Sequence, residues 1–93
     1  MATIHIPALM QDLTGGLEKV EVAVPGNGAR SVRDILGELE GRFPGIKERL
    51  LEEDEIRPGL AVFIDGDQAG LGISAKVKTD GVVFFLAPIV GGR

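Results

Sequence analysis

The sequence predicts an α+β domain in which a mixed four- to five-stranded sheet carries one main helix packed on one face. Three observations predict it. Two short stretches near the start alternate apolar and polar residues with the period of a strand. Residues 31–43 repeat apolar side chains at helical spacing between a start and a stop signal. The last third returns to strand character and closes with an apolar run at 82–86. Ninety-three residues suffice for one domain with one modest core. A hydrophobic content of 44% is ordinary for a globular domain and argues against disorder.

The elements follow in order. Residues 3–7 form a first strand, with Ile4 and Ile6 on one face and Thr3 and His5 on the other; Pro7 ends its ladder or lies at an edge. Residues 8–17 are a connection with a turn at Thr14-Gly15-Gly16. Residues 19–24 alternate cleanly, Val20, Val22 and Val24 against Lys19, Glu21 and Ala23, as the half-buried antiparallel partner of the first strand. Pro25-Gly26-Asn27-Gly28 breaks the pattern. Ser31 can cap a helix, with Asp34 three residues on, close to a capping box and well placed for the helix dipole. Val32, Ile35, Leu36, Leu39 and Phe43 make its apolar stripe, and Pro44-Gly45 stops it. Gly37 and Gly41 each weaken it by up to about 1 kcal/mol relative to alanine, so it depends on packing against a sheet.

Ile46, Leu50 and Leu51 suggest a further short helical turn. Residues 60–65 are a third strand, with Leu60, Val62 and Ile64 on one face and Ala61 and Phe63 on the other. Asp65-Gly66-Asp67 is a tight hairpin turn, followed by a weak short strand at 68–70. Residues 71–77 read as an irregular stretch and Thr79-Asp80-Gly81 as a turn. Residues 82–86 are apolar on both faces, which predicts a central strand. Phe63 points away from the face carrying Val62 and Ile64. With Phe84 it is the candidate partner-docking patch, although alternation alone does not choose between Phe84 and Phe85 as its neighbour; a scattered surface aromatic or a small satellite core explains Phe63 equally well.

Composition excludes several function classes. Ten basic against fourteen acidic residues give a net charge of −4, unlike a nucleic-acid binder. The acidic run Glu52-Glu53-Asp54-Glu55 reads as a solvated turn or helix end, with docking onto a basic partner as the alternative. There are no cysteines, so disulfides and thiolate metal sites are excluded and any sulfur chemistry must use sulfur brought from outside. No signal-peptide pattern and no membrane-length apolar run occur; a cytoplasmic protein without a membrane partner is expected. His5, the only histidine, reads as a strand residue rather than a metal ligand or base. Asp65 and Asp67 flank Gly66 as turn formers. Thr14-Gly15-Gly16-Leu17 and Gly70-Leu71-Gly72 lack the strand–loop–helix setting and the lysine of a phosphate-binding loop. No catalytic constellation, metal site or bound cofactor is expected.

The most informative residues are the last six, Pro88-Ile89-Val90-Gly91-Gly92-Arg93. They divide the chain into a domain at 1–87 and a flexible tail at 88–93. Glycine has no side chain, so a Gly-Gly segment can thread a narrow channel and be read through its backbone. A glycine carboxylate is unhindered and has no Cα stereocentre to epimerise on activation. These features point to a carrier or modifier activated at Gly92. Arg93 stands in the way: one further residue moves the carboxylate by up to about 3.5 Å and adds a bulky cation.

This element order with its Gly-Gly end resembles the β-grasp, ubiquitin-like fold, and more narrowly the ThiS/MoaD-type sulfur-carrier family. The resemblance covers essentially the whole chain. Ile6-Pro7-Ala8-Leu9 with Thr14-Gly15-Gly16, Ser31-Val32-Arg33-Asp34-Ile35-Leu36, Phe43-Pro44-Gly45-Ile46 with Leu50, and Leu86-Ala87-Pro88-Ile89-Val90-Gly91-Gly92 are most similar to the CysO branch, which serves thiocarboxylate-dependent cysteine synthesis. The resemblance implies that the chain is not an enzyme but a co-substrate. A partner adenylating enzyme would use ATP to activate Gly92, and a sulfur donor would displace AMP to leave a thiocarboxylate. Gly91 would supply the slender approach, and Pro88, Ile89 and Val90 would be read with it. Members active as translated end at the second glycine, so Arg93 implies a precursor clipped at the Gly92–Arg93 bond; a JAMM-type metal-dependent peptidase fits that task. The acceptor would be a biosynthetic enzyme, with cysteine synthase favoured over molybdopterin, thiamin or tRNA thiolation. Two alternatives stay open: a ubiquitin-like modifier joined to target lysines through Gly92, and a non-covalent β-grasp interaction module.

Overall fold

The computed structural model describes residues 1–26 and 28–86. β1 (Ala2–His5) pairs antiparallel with β2 (Lys19–Val22), His5 opposite Lys19 and Thr3 opposite Glu21. The alternation visible in the sequence sets the faces. Ala2, Ile4 and Ile6 join Val20, Val22 and Val24 in the core, and the residues between them turn outward. The connection between the two strands contains a short 3₁₀ turn, Ala8–Met10, which buries Met10. Buried Thr14 anchors the connection by donating its hydroxyl to the Leu17 carbonyl at 2.9 Å.

β3 (Ala29–Ser31) runs directly into α1 (Val32–Arg42). The Ser31 hydroxyl accepts the Asp34 N–H at 3.0 Å, as the sequence predicts. The other half of a capping box is missing, because the Asp34 carboxylate instead accepts from Arg30 Nε at 2.9 Å. Val32, Ile35, Leu36 and Leu39 are buried, and Phe43 closes the stripe half-buried at the C-cap. α2 (Ile46–Leu50) starts from Gly45, whose φ of +101° suits glycine. The Glu40 carboxylate accepts the N–H groups of Gly45 and Lys47, the latter at 2.9 Å, and so caps α2 from the preceding helix.

β4 (Leu51–Glu52) and β5 (Glu55–Ile56) form a minimal hairpin whose turn residues Glu53 and Asp54 both have positive φ. The acidic run is therefore a turn, the first of the two readings of it. β6 (Ala61–Ile64) and β7 (Asp67–Gln68) are joined by Asp65-Gly66, with φ of +53° and +91°, the geometry of a two-residue I′ hairpin. β8 (Lys76–Lys78) pairs antiparallel with β3, and β9 (Val82–Leu86) ends the described chain.

The main sheet has the order β2-β1-β9-β6-β7. β9 is central, parallel to β1 and antiparallel to β6, so the sheet is mixed and α1 covers one face of it. Two expectations need correction. Residues 71–77 are not irregular throughout: they hold a 3₁₀ turn, Gly72–Ser74, and the start of β8. The ladder of β3 with β8, and that of β4 with β5, leave no signal in the sequence, because two or three residues carry too little periodicity and β3 finds its partner some 45 residues away. The weak strand placed at 68–70 is Asp67–Gln68. Among the described residues no helix is long and apolar enough to cross a membrane.

Candidate functional site

The central strand decides what the open face of the sheet looks like. Along β9 the side chains alternate: Val83 and Phe85 are 1% and 4% exposed under the helix, whereas Phe84 and Leu86 are 38% and 49% exposed on the other side. The neighbour of Phe63 is thus Phe84, and Phe85 belongs to the core. Register makes the pairing direct. Phe63 and Phe84 face each other across β6 and β9, and Leu86 faces Ala61 one step further along.

On its other flank Phe84 meets His5. The two residues are in register across the parallel β1–β9 ladder, and their rings stack with centroids 3.9 Å apart and planes 12° from parallel. A single row therefore crosses all five strands on the open face: Lys19, His5, Phe84, Phe63 and Gln68. Its centre is apolar and aromatic and its two ends are polar. His5 is a strand residue, as alternation predicts. Its outward position was legible from alternation, but its contact with Phe84 depends on the first and last strands lying side by side, which no local pattern shows.

The face lies next to the point where the described chain ends. Leu86 is the last described residue, at the end of the central strand. Pro88, Ile89, Val90, Gly91, Gly92 and Arg93, the residues singled out for tail recognition, activation and processing, lie outside the described residues, as does the boundary placed at residue 87.

On the helix side, a groove of about 460 Å³ runs between the β4–β5 hairpin and residues 70–74, with Arg33 at its rim and exposed Leu71 on one wall. Arg33 pairs with Asp54 across it and holds that carboxyl below its ordinary range. Elsewhere the hydrogen bond from Arg30 holds Asp34 low, and the Gly45 and Lys47 N–H groups hold Glu40 low. These perturbed groups are capping and ion-pair groups spread over the helix side; none lies in the aromatic row. Among the described residues no three His, Cys, Asp or Glu side chains gather where they could hold a metal ion.

No family model matches the chain, and no curated protein matches it. Solved structures do. The chain aligns over 99% of its length with the whole of a chain from the Amycolatopsis orientalis BexX/CysO complex, at 30% identity and a TM-score of 0.83. It aligns over 98% of its length with 98% of small archaeal modifier protein 1 (SAMP1) from Haloferax volcanii, at 25% identity and a TM-score of 0.72. CysO from Mycobacterium tuberculosis shares the fold, with a TM-score of 0.81 at 19% identity, over 96% of this chain and all of that one. The mixed five-stranded sheet with its covering helix is a β-grasp, and the chain belongs to the ThiS/MoaD-type family of sulfur carriers and ubiquitin-like modifiers, close to CysO.

Proposed function

We propose that this chain is a sulfur carrier whose Gly92 carboxylate is adenylated by a partner enzyme and converted to a thiocarboxylate. The observation that carries the reading is the aromatic row on the open face, centred on the same strand whose continuation holds Gly91-Gly92. A partner that covers Phe84, Phe63 and Leu86 sits at the root of the segment it must receive. An exposed apolar patch bounded by polar residues is a general sign of protein docking. The likeness to a chain of the BexX/CysO complex supports a carrier that works by binding enzymes.

The chemistry requires a change of leaving group. A carboxylate is a poor electrophile. The Gly92 oxygen attacks the α-phosphorus of ATP, pyrophosphate leaves, and an acyl adenylate remains. A sulfide-level donor then forms a C–S bond as the C–O bond to AMP breaks, giving –COS⁻. No group of this chain is needed as acid or base; the partner supplies them. Arg93 must first be removed by hydrolysis of the Gly92–Arg93 peptide bond, a task for a JAMM-type peptidase. The acceptor is a cytoplasmic biosynthetic enzyme, cysteine synthase being the candidate the CysO likeness favours. The likeness to a small archaeal modifier favours a second reading, in which a target lysine amine displaces AMP and an isopeptide bond forms.

The test is the intact mass of the chain after incubation with ATP, a sulfide source and extract of the native host. Loss of Arg93 followed by an oxygen-to-sulfur gain is the expected result. Isopeptide adducts in place of the sulfur gain would favour the modifier reading. A full-length mass that persists while a control carrier is converted would overturn both and leave the non-covalent module.

A further inference from the structure

We infer that His5 is a positioning residue for docking: through its stack on Phe84 it presets the open face for an apolar partner surface. The docking half of this inference rests on the proposed carrier function; the positioning half concerns the free chain alone.

Phe84 is 38% exposed on a strand surface, where a phenyl ring with free flanks samples several rotamers. Here one flank is taken: the imidazole of His5 lies flat against the ring, centroids 3.9 Å apart, and Phe63 is the register partner on β6 on the other side. A ring held in one orientation before the partner arrives does not lose that freedom on binding, which is how preorganisation raises affinity. The occupant is an apolar, uncharged patch on the enzyme that activates Gly92. Continuity argues for it: the row sits on the strand that leads to Gly92, and its centre from His5 to Phe63 contains no carboxylate or ammonium.

Two readouts test the inference in wild type, His5→Ala and His5→Phe. The first is the NMR spectrum of the free chain. In wild type the Phe84 ring resonances should be dispersed by the imidazole stacked on them. In His5→Ala they should collapse toward rotationally averaged values; in His5→Phe they should stay dispersed. Phe84 resonances in His5→Ala indistinguishable from wild type would overturn the positioning role. The second readout is the concentration dependence of thiocarboxylate formation in native-host extract with ATP and sulfide. His5→Ala should raise KM about fivefold with kcat unchanged. His5→Phe should restore KM toward the wild-type value, because a second aromatic ring can take the same place against Phe84. Equal KM in all three proteins would overturn the docking role. If wild type is not converted at all while a control carrier is, the carrier reading falls and takes the docking half with it, and the NMR result alone decides whether His5 positions Phe84.

Discussion

Two neighbouring phenylalanines on one strand should behave as opposites. Phe85 is 4% exposed and packs among the core residues under α1; Phe84 is 38% exposed on the open face. Truncating a buried phenylalanine removes its transfer free energy and leaves a cavity, so Phe85→Ala should cost about 3–5 kcal/mol. A 93-residue domain has about 5–14 kcal/mol in total, so this loss takes a large share of it and should lower Tm by roughly 15–30 °C. Phe84→Ala gives up part of a half-exposed ring and the stack on His5, about 1 kcal/mol together. Its effect should appear in docking: loss of a central aromatic anchor is worth about 2 kcal/mol, a roughly thirtyfold rise in the carrier concentration needed for half-maximal thiocarboxylate formation. Urea titrations of both variants, beside the conversion assay, give the comparison. Equal destabilisation by the two substitutions would mean that both faces of β9 are buried, and would refute the open docking face.

Ser31→Ala removes the acceptor for the Asp34 N–H and should cost about 1 kcal/mol, read as a lowered urea midpoint with an unchanged m-value. Glu40, held below its ordinary value of 4.5 by the Gly45 and Lys47 N–H groups, stabilises the fold above its unfolded-state value and loses that contribution as pH falls through its lower folded value; Glu40→Gln should flatten the acid limb of the stability curve below pH 4.5, and an unchanged limb would deny Glu40 its capping role. Deletion of Gly91 and Gly92 should abolish sulfur gain while Tm stays within about 2 °C, because the buried core among the described residues runs from Ala2 to Phe85; a large fall in Tm would contradict a segment kept free for reaction.

The main elements were legible because each carries its own signal. β2 shows a strict two-residue alternation, α1 has its cap, stripe and stop within fifteen residues, and Asp65-Gly66 can hardly be anything but a hairpin turn. The central place of β9 followed from its apolar character on both faces. What was not legible depended on pairing over distance. β3 and β8 have three residues each, too few to show a period, and are strands because they find one another. The same limit applied to the open face. Alternation placed Phe63 away from the helix, yet the choice of Phe84 over Phe85 and the contact with His5 needed the register of β1, β9 and β6.

That face is apolar without inviting strand addition, and the reason lies at the sheet's edges. β2 is an edge strand, and exposed edge carbonyls invite pairing with a second chain. Two arginines close this one. Arg42 Nη1 donates to the Glu21 carbonyl at 3.0 Å, and Arg30 Nη1 donates to the Ala23 carbonyl at 2.9 Å. Arg30 is in turn fixed by Asp34 and by Glu38 at 2.6 Å, so its reach across the edge is held rather than incidental. The opposite edge, β7, is only two residues long, and Ala69 beyond it donates its N–H to the Val62 carbonyl. With both edges guarded, a partner gains little by adding a strand and most by lying flat on His5, Phe84, Phe63 and Leu86. Such a partner meets β9 along its outward side chains, and the segment beyond Leu86 starts from within its footprint. A fold built this way favours association across the open face over association at the sheet's edges.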